Sequence, residues 1–175
     1  SYKGTNYHGW QIQPNDISVQ SVLTDAMSLV FRFQVELTGA GRTDAGVHAV
    51  NMIAHFDLPF EIEDSSKIVY RLNSLLPKDI SIDSIFEVEE SMHARFSAKS
   101  RTYKYYVSTK KSPFDDEFSA RITFALDEEK MNEAAQTLFD YIDFTSFSKL
   151  HTDVKTNNCR IIQAGWKQEG DTWVF

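Results

Sequence analysis

Gly39-Ala40-Gly41-Arg42-Thr43-Asp44-Ala45-Gly46-Val47-His48-Ala49 places three glycines, an arginine and an acid within eleven residues. An apolar run precedes it (Phe31, Phe33, Val35, Leu37) and another follows (Val50, Met52, Ile53, Phe56), which makes the stretch a loop between two strands. Loops carried on a rigid scaffold are where binding and catalytic groups concentrate. A long turn, with glycines at positive φ and Asp44 bonding its own backbone, would account for the glycines. It leaves the arginine two residues before the acid without a role.

Outward from this loop, Phe33-Gln34-Val35-Glu36-Leu37 alternates as a half-buried strand should, and Val50 to Phe56 reads as its partner, ended by Pro59. Upstream, Val19, Val22, Leu23, Ala26 and Val30 repeat at helical spacing behind Asp16 or Ser18, either of which can cap a helix start. Downstream, Ile68, Val69, Leu72, Leu75 and Leu76 form a second helical stripe, opened by Asp64 or Ser65 and stopped by Pro77. Tyr2-Lys3-Gly4-Thr5-Asn6-Tyr7-His8-Gly9-Trp10 reads as a strand end entering an aromatic loop, and Ile80-Ser81-Ile82 as one more strand. The order is βαββαβ, a split-βαβ arrangement, and residues 1–92 form a first half that carries the loop.

Residues 93–175 repeat the theme incompletely. Lys99 to Ser108 alternates as a strand in which tyrosines (Tyr103, Tyr105, Tyr106) interleave with Arg101 and Lys104. Asp127 caps a third helix with Met131, Ala134, Leu138 and Tyr141 on its stripe. Cys159 to Trp166 is expected to be a strand, followed by a Gly170-Asp171 turn and a strand at Thr172-Trp173-Val174-Phe175. The missing last helix and strand suggest a chain cut at both ends. The fold class expected is α+β, with helices packed on a mostly antiparallel sheet.

The single cysteine, Cys159, excludes an internal disulfide and a cysteine-based zinc site, and reads as a small half-buried residue in a reducing compartment. No apolar run is long enough to span a membrane and no signal-peptide pattern opens the chain, so a cytoplasmic location is expected. Eighteen basic against 25 acidic residues leave a net charge of −7, which argues against nucleic-acid binding through overall charge. The distribution is uneven, however. Arg95, Lys99, Arg101, Lys104, Lys110 and Lys111 fall in one stretch without an acid, whereas Asp57 to Glu90 holds nine acids against three bases.

A phosphate-binding P-loop ends in Gly-Lys-Ser/Thr before a helix, whereas Gly41-Arg42-Thr43-Asp44 precedes a strand. His8, His48, His55, His93 and His151 show no short metal-ligand spacing, and Gly-x-Ser-x-Gly is absent. Carboxylate chemistry remains. An exposed aspartate can be a nucleophile where a nearby cation keeps it ionised, and Asp44 has Arg42 beside it and small Ala45 and Gly46 leaving room for a substrate. No second carboxylate is identifiable for paired-acid glycosidic chemistry. Tyrosines among arginines and lysines on a strand suit RNA, stacking an extruded base while cations hold phosphates. For Tyr105 and Tyr106 a place in the core is equally open. Together these features suggest an enzyme that flips a base and works at its glycosidic bond.

With these residues in view, the loop resembles the signature of the tRNA pseudouridine synthase A family. Tyr2 to Gln11 is similar to the family's opening, Leu72-Asn73-Ser74-Leu75-Leu76-Pro77 to the end of its second helix, and His93-Ala94-Arg95-Phe96-Ser97-Ala98 with Arg101-Thr102-Tyr103-Lys104-Tyr105 to its tyrosine motif. Asp143-Phe144-Thr145-Ser146-Phe147 also fits. The resemblance implies two ferredoxin-like βαββαβ halves, the second incomplete here. It implies isomerisation of uridine to pseudouridine at positions 38 to 40 of the tRNA anticodon stem-loop, without cofactor or metal. Asp44 would be the catalytic carboxylate, attacking either the sugar C1′ or the uracil ring. Tyr103 would stack on the target base, Arg42 would fill the space the flipped nucleotide leaves, and Arg95, Lys99, Arg101 and Lys104 would contact RNA. A homodimer is implied, with tRNA reaching across both subunits. In the family a later arginine pairs with the catalytic aspartate, and the segment that carries it would follow Phe175. A truncated chain of this fold would be an inactive tRNA- or RNA-binding module, the main alternative. A small-molecule glycosyl-transferring enzyme using Asp44 is a third.

Overall fold

Helix α1 (Val19–Phe31) begins where two serines close a reciprocal cap: the Ser21 amide donates to Ser18 Oγ at 3.1 Å and the Ser18 amide to Ser21 Oγ at 3.2 Å. Ser18, rather than Asp16, is therefore the cap. Val19, Leu23, Met27 and Val30 are its buried face, and Arg32 ends it in the left-handed conformation. The computed structural model describes residues 1–148 and 156–175, so His151 lies outside the described residues. Its secondary structure is mixed, with helices beside small antiparallel and mixed sheets. Two units, Ser1–Arg101 and Thr102–Phe175, are described in turn.

In the first unit, α1 packs on α2 (Ser65–Leu75), whose first turn is capped by Asp64 accepting the Lys67 amide at 3.0 Å. The helix ends before Pro77, which cannot continue it. Leu72 and Val19 are fully buried, each worth roughly 1.5–3 kcal/mol of transfer free energy. Tyr2, Tyr7, Trp10, Val35, Leu37, Leu76 and Ile80 complete this core.

Strand β1 (Thr38–Gly39) pairs antiparallel with β2 (Ala54–His55), Thr38 opposite His55. Tyr2 forms antiparallel bridges to both Ala49 and Ile80, so three extended segments meet at one residue. The strands are shorter than the alternation suggests. Val35 and Leu37 are buried and Glu36 is exposed, as a half-buried strand requires, but their backbone finds side chains of α1 instead of a ladder. The Val35 amide donates to Ser28 Oγ at 3.1 Å and Gln20 Nε2 donates to the Leu37 carbonyl at 2.6 Å. Asn73 on α2 does the same for Ile82, donating to its carbonyl and accepting its amide, both at 2.8 Å.

In the second unit, β3 (Tyr106–Ser108) lies between β4 (Ala120–Arg121), parallel to it, and β6 (Thr172–Val174), antiparallel. The edge strand β5 (Lys167–Glu169) reaches β6 through the Gly170-Asp171 turn, where Gly170 takes φ +65°. Tyr105 and Phe175 exchange backbone hydrogen bonds at 3.1 and 2.9 Å and lengthen the ladder by one pair. The strand thus starts at Tyr105, not Lys99.

Helix α3 (Glu128–Gln136) is capped by Asp127, which accepts the Lys130 amide at 3.1 Å. Its buried residue is Ala135, with Met131 and Leu138 half-buried; Ala134 and Tyr141 are exposed. Met131 and Leu138 keep their places on the stripe, whereas Ala135 takes that of Ala134 and Tyr141 leaves it. Cys159 to Trp166 is not a strand, and at its end Asn132 of α3 takes the place of a strand partner. It accepts the Trp166 amide at 2.8 Å and donates to the Trp166 carbonyl at 3.1 Å. Cys159 is exposed rather than half-buried.

Candidate active site

The loop 39–49 leaves β1 and is fastened to the opening segment at Thr43, Gly46, His48 and Ala49. Trp10 donates its amide to the Thr43 carbonyl at 3.2 Å, and the Tyr2 hydroxyl shares a hydrogen bond with Thr43 Oγ1 at 2.9 Å. The Gly46 amide donates to the Tyr7 carbonyl at 3.2 Å, and the Gly4 amide to His48 Nδ1 at 3.0 Å. Ala49 and Tyr2 exchange both backbone bonds, at 2.7 and 2.9 Å. Asp44 itself starts a turn, its carbonyl accepting the Val47 amide at 3.2 Å, with Gly46 at φ +81°.

The two backbones touch so closely that glycine is required between them. A Cβ on Gly4 would stand 2.0 Å from the Val47 carbonyl oxygen, and one on Gly9 2.2 Å from that of Thr43. Gly39 faces the buried Trp10 indole, 2.4 Å from where a Cβ would be. The opening segment is anchored in turn, because Tyr7 donates to Asp79 Oδ1 at 2.7 Å and Asn6 to Asp79 Oδ2 at 3.2 Å. Partial burial pushes the Asp79 carboxyl up, but these hydrogen bonds outweigh it and hold the carboxyl below its ordinary value. Burial and the neighbouring carboxylate push the Tyr7 phenol well above its ordinary value. Burial also raises the Tyr2 phenol, against the lowering effect of Thr43.

On this fixed backbone the side chains of Arg42 and Asp44 are exposed. No ion pair joins the two, among the described residues, so the cation expected beside the acid is a neighbour in sequence only. A carboxylate held on a rigid turn beside small Ala45 and Gly46 is open to a substrate and placed for nucleophilic or base chemistry.

Of the expected RNA contacts, Arg95 and Lys99 are exposed, and the Arg95 guanidinium lies 5.8 Å from the centre of the Phe96 ring. Arg101 turns onto the loop, where its Nη2 donates to the Ala40 carbonyl at 2.6 Å and to the Arg95 carbonyl at 3.1 Å. In the second unit Tyr103 is 63% exposed and Tyr105 64%, so neither is a core residue of that unit. Lys104 is exposed beside them.

No group of His, Cys, Asp or Glu able to hold a metal ion occurs among the described residues, and no described helix is long and apolar enough to cross a membrane. Local sequence reasoning missed the task of Tyr2, Gly4, Gly9 and Trp10. The signal was present in the density of glycine and aromatic residues there, but it has no meaning until the partner loop is in place.

A family model described as tRNA pseudouridine synthase matches residues 1–97. A protein of Parabacteroides distasonis named tRNA pseudouridine synthase A is 59% identical over 174 residues, covering 99% of this chain and 69% of its own length. Proteins of the same name from Bacteroides fragilis and Bacillus pumilus are 57% and 39% identical, covering 100% and 98% of this chain and 70% of their own length in each case.

Proposed function

The chain belongs to the tRNA pseudouridine synthase family, and we propose that Asp44 is the carboxylate with which it converts uridine to pseudouridine in tRNA. The observation that carries this reading is the clamp: the backbone on either side of Asp44 is tied to the opening segment while the carboxylate faces solvent. Pre-organisation of this kind fixes a reacting group without an ordering cost at the moment of reaction.

In the proposed reaction the target uridine leaves the stack, which exposes its glycosidic bond to a group that could not reach it in a helix. Asp44 attacks C1′ of the ribose or the uracil ring, the C1′–N1 bond breaks, the base turns and a C1′–C5 bond forms; the bond to Asp44 breaks again, C5 loses its proton and N1 gains one. Tyr103, exposed ahead of β3, stacks on the base. Arg42 fills the vacated space, and Arg95, Lys99 and Lys104 contact phosphates. The uridines are those at positions 38 to 40 of the anticodon stem-loop, and two subunits share one tRNA in the cytoplasm. Residues 1–92 and 93–175 correspond to two ferredoxin-like halves, a reading supported for the first half alone by the antiparallel bridges of Tyr2 to Ala49 and Ile80.

The test is tritium release from tRNA carrying 5-³H-uridine, with the full-length protein. Release is expected from wild type, with Tyr103→Ala losing about 1–3 kcal/mol of stacking in kcat/KM. Absence of release from wild type would refute the reading.

A further inference from the structure

Resting on the reading of Asp44 as the reacting group, we propose that Arg101 is a positioning residue for the catalytic loop rather than a phosphate contact. The limb of the loop after Asp44 is held by Tyr7, Gly4 and Tyr2, and Thr43 just before it by Trp10 and Tyr2. The limb that leaves β1 is held at Ala40, from both sides. The Ala40 amide donates to the Ile53 carbonyl at 2.8 Å, and its carbonyl accepts from Arg101 Nη2 at 2.6 Å. The same Nη2 donates to the Arg95 carbonyl at 3.1 Å, so one guanidinium nitrogen ties the loop to the turn 93–97.

That turn is itself a fixed point. The Ala94 amide donates to Nδ1 of His55 on β2 at 3.1 Å, and the Arg95 amide to Nδ1 of His93 at 3.1 Å. The Ser97 amide donates to the His93 carbonyl at 2.8 Å, and the two imidazoles meet tilted at 58°, their centres 4.5 Å apart. β2 pairs with β1, so a closed brace runs from β1 through Ala40, Arg101 and the turn to His55 and back. A planar guanidinium with several donors in fixed directions suits such a bridge, and donors committed to backbone carbonyls are not offered to RNA.

The experiment compares full-length wild type, Arg101→Ala and Arg101→Lys by amide hydrogen exchange and by steady-state kinetics on tRNA. In Arg101→Ala, exchange rises at residues 40–46 but not in α1, and kcat falls about 10- to 100-fold with KM nearly unchanged. The salt dependence of tRNA binding keeps its slope, whereas loss of a phosphate contact would reduce it by about 1. Arg101→Lys, which retains a donor for Ala40, recovers part of both kcat and protection. Unchanged exchange at 40–46, or a defect confined to KM with a reduced salt slope, would overturn the proposal. The exchange result stands even if wild type proves inactive on tRNA, so failure here and failure of the Asp44 reading are separable.

Discussion

Gly9→Ala perturbs the proposed catalytic residue without touching it. Gly9 sits at φ +84°, and the new methyl would lie 2.2 Å from the Thr43 carbonyl oxygen and 3.2 Å from the carbonyl carbon of Asp44. The backbone conformation alone costs an L-residue about 1–2 kcal/mol. The clash then has to be relieved by moving Thr43 or the opening segment, since both partners are backbone. Bringing the contact from 2.2 Å to at least 3.0 Å requires a movement of about 0.8 Å, passed directly to Asp44. Misplacement of a reacting group by about 1 Å costs on the order of 100-fold in rate, or about 2.7 kcal/mol in the barrier. The assay is the single-turnover rate of pseudouridine formation at saturating tRNA, with urea unfolding alongside. Gly170→Ala is the control, because it is also at positive φ (+65°) but meets nothing within 4 Å. It is expected to lose only the conformational cost, about 1–2 kcal/mol, and no rate. A folded Gly9→Ala protein reacting at the wild-type rate would refute the claim that the opening segment sets the position of Asp44.

Tyr7→Phe removes the donor at 2.7 Å from Asp79 and is expected to cost about 1.5–3 kcal/mol at neutral pH, measured by urea unfolding. Because the Asp79 carboxyl is held low in the fold, its contribution is complete above its ordinary value of 3.8 and is lost as pH falls through the lower folded value, so the gap between variant and wild type closes in acid. The raised Tyr7 phenol acts in the opposite direction, its contribution being complete below pH 10 and lost as pH rises beyond it. Asn132→Ala leaves the Trp166 amide and carbonyl without their partner and is expected to cost about 1–3 kcal/mol, with exchange of the Trp166 amide accelerated.

Helix positions were legible because their signals are local. Ser18, Asp64 and Asp127 cap as their residue types suggest, and the Gly170-Asp171 turn falls where glycine is required. Strand extents were not legible, because alternation reports burial and not hydrogen bonding. Ser28, Gln20, Asn73 and Asn132 satisfy extended backbone from helices, so Val35, Leu37, Ile82 and Trp166 are strand-like without a ladder. The loop stood out by its composition, but what holds it depends on pairs some 40 residues apart, such as Tyr2 with Thr43 and Gly4 with His48. Arg101 illustrates the same limit. In the sequence it stands beside tyrosines, and only the geometry shows its hydrogen bond to Ala40.

The most direct measurement of the central claim is pseudouridine formation in tRNA by full-length Asp44→Asn protein. The substitution preserves shape and the turn bond from the Val47 amide to the residue-44 carbonyl, and removes only the carboxylate charge. No pseudouridine with undiminished tRNA binding is the predicted result. Turnover at the wild-type rate would contradict it.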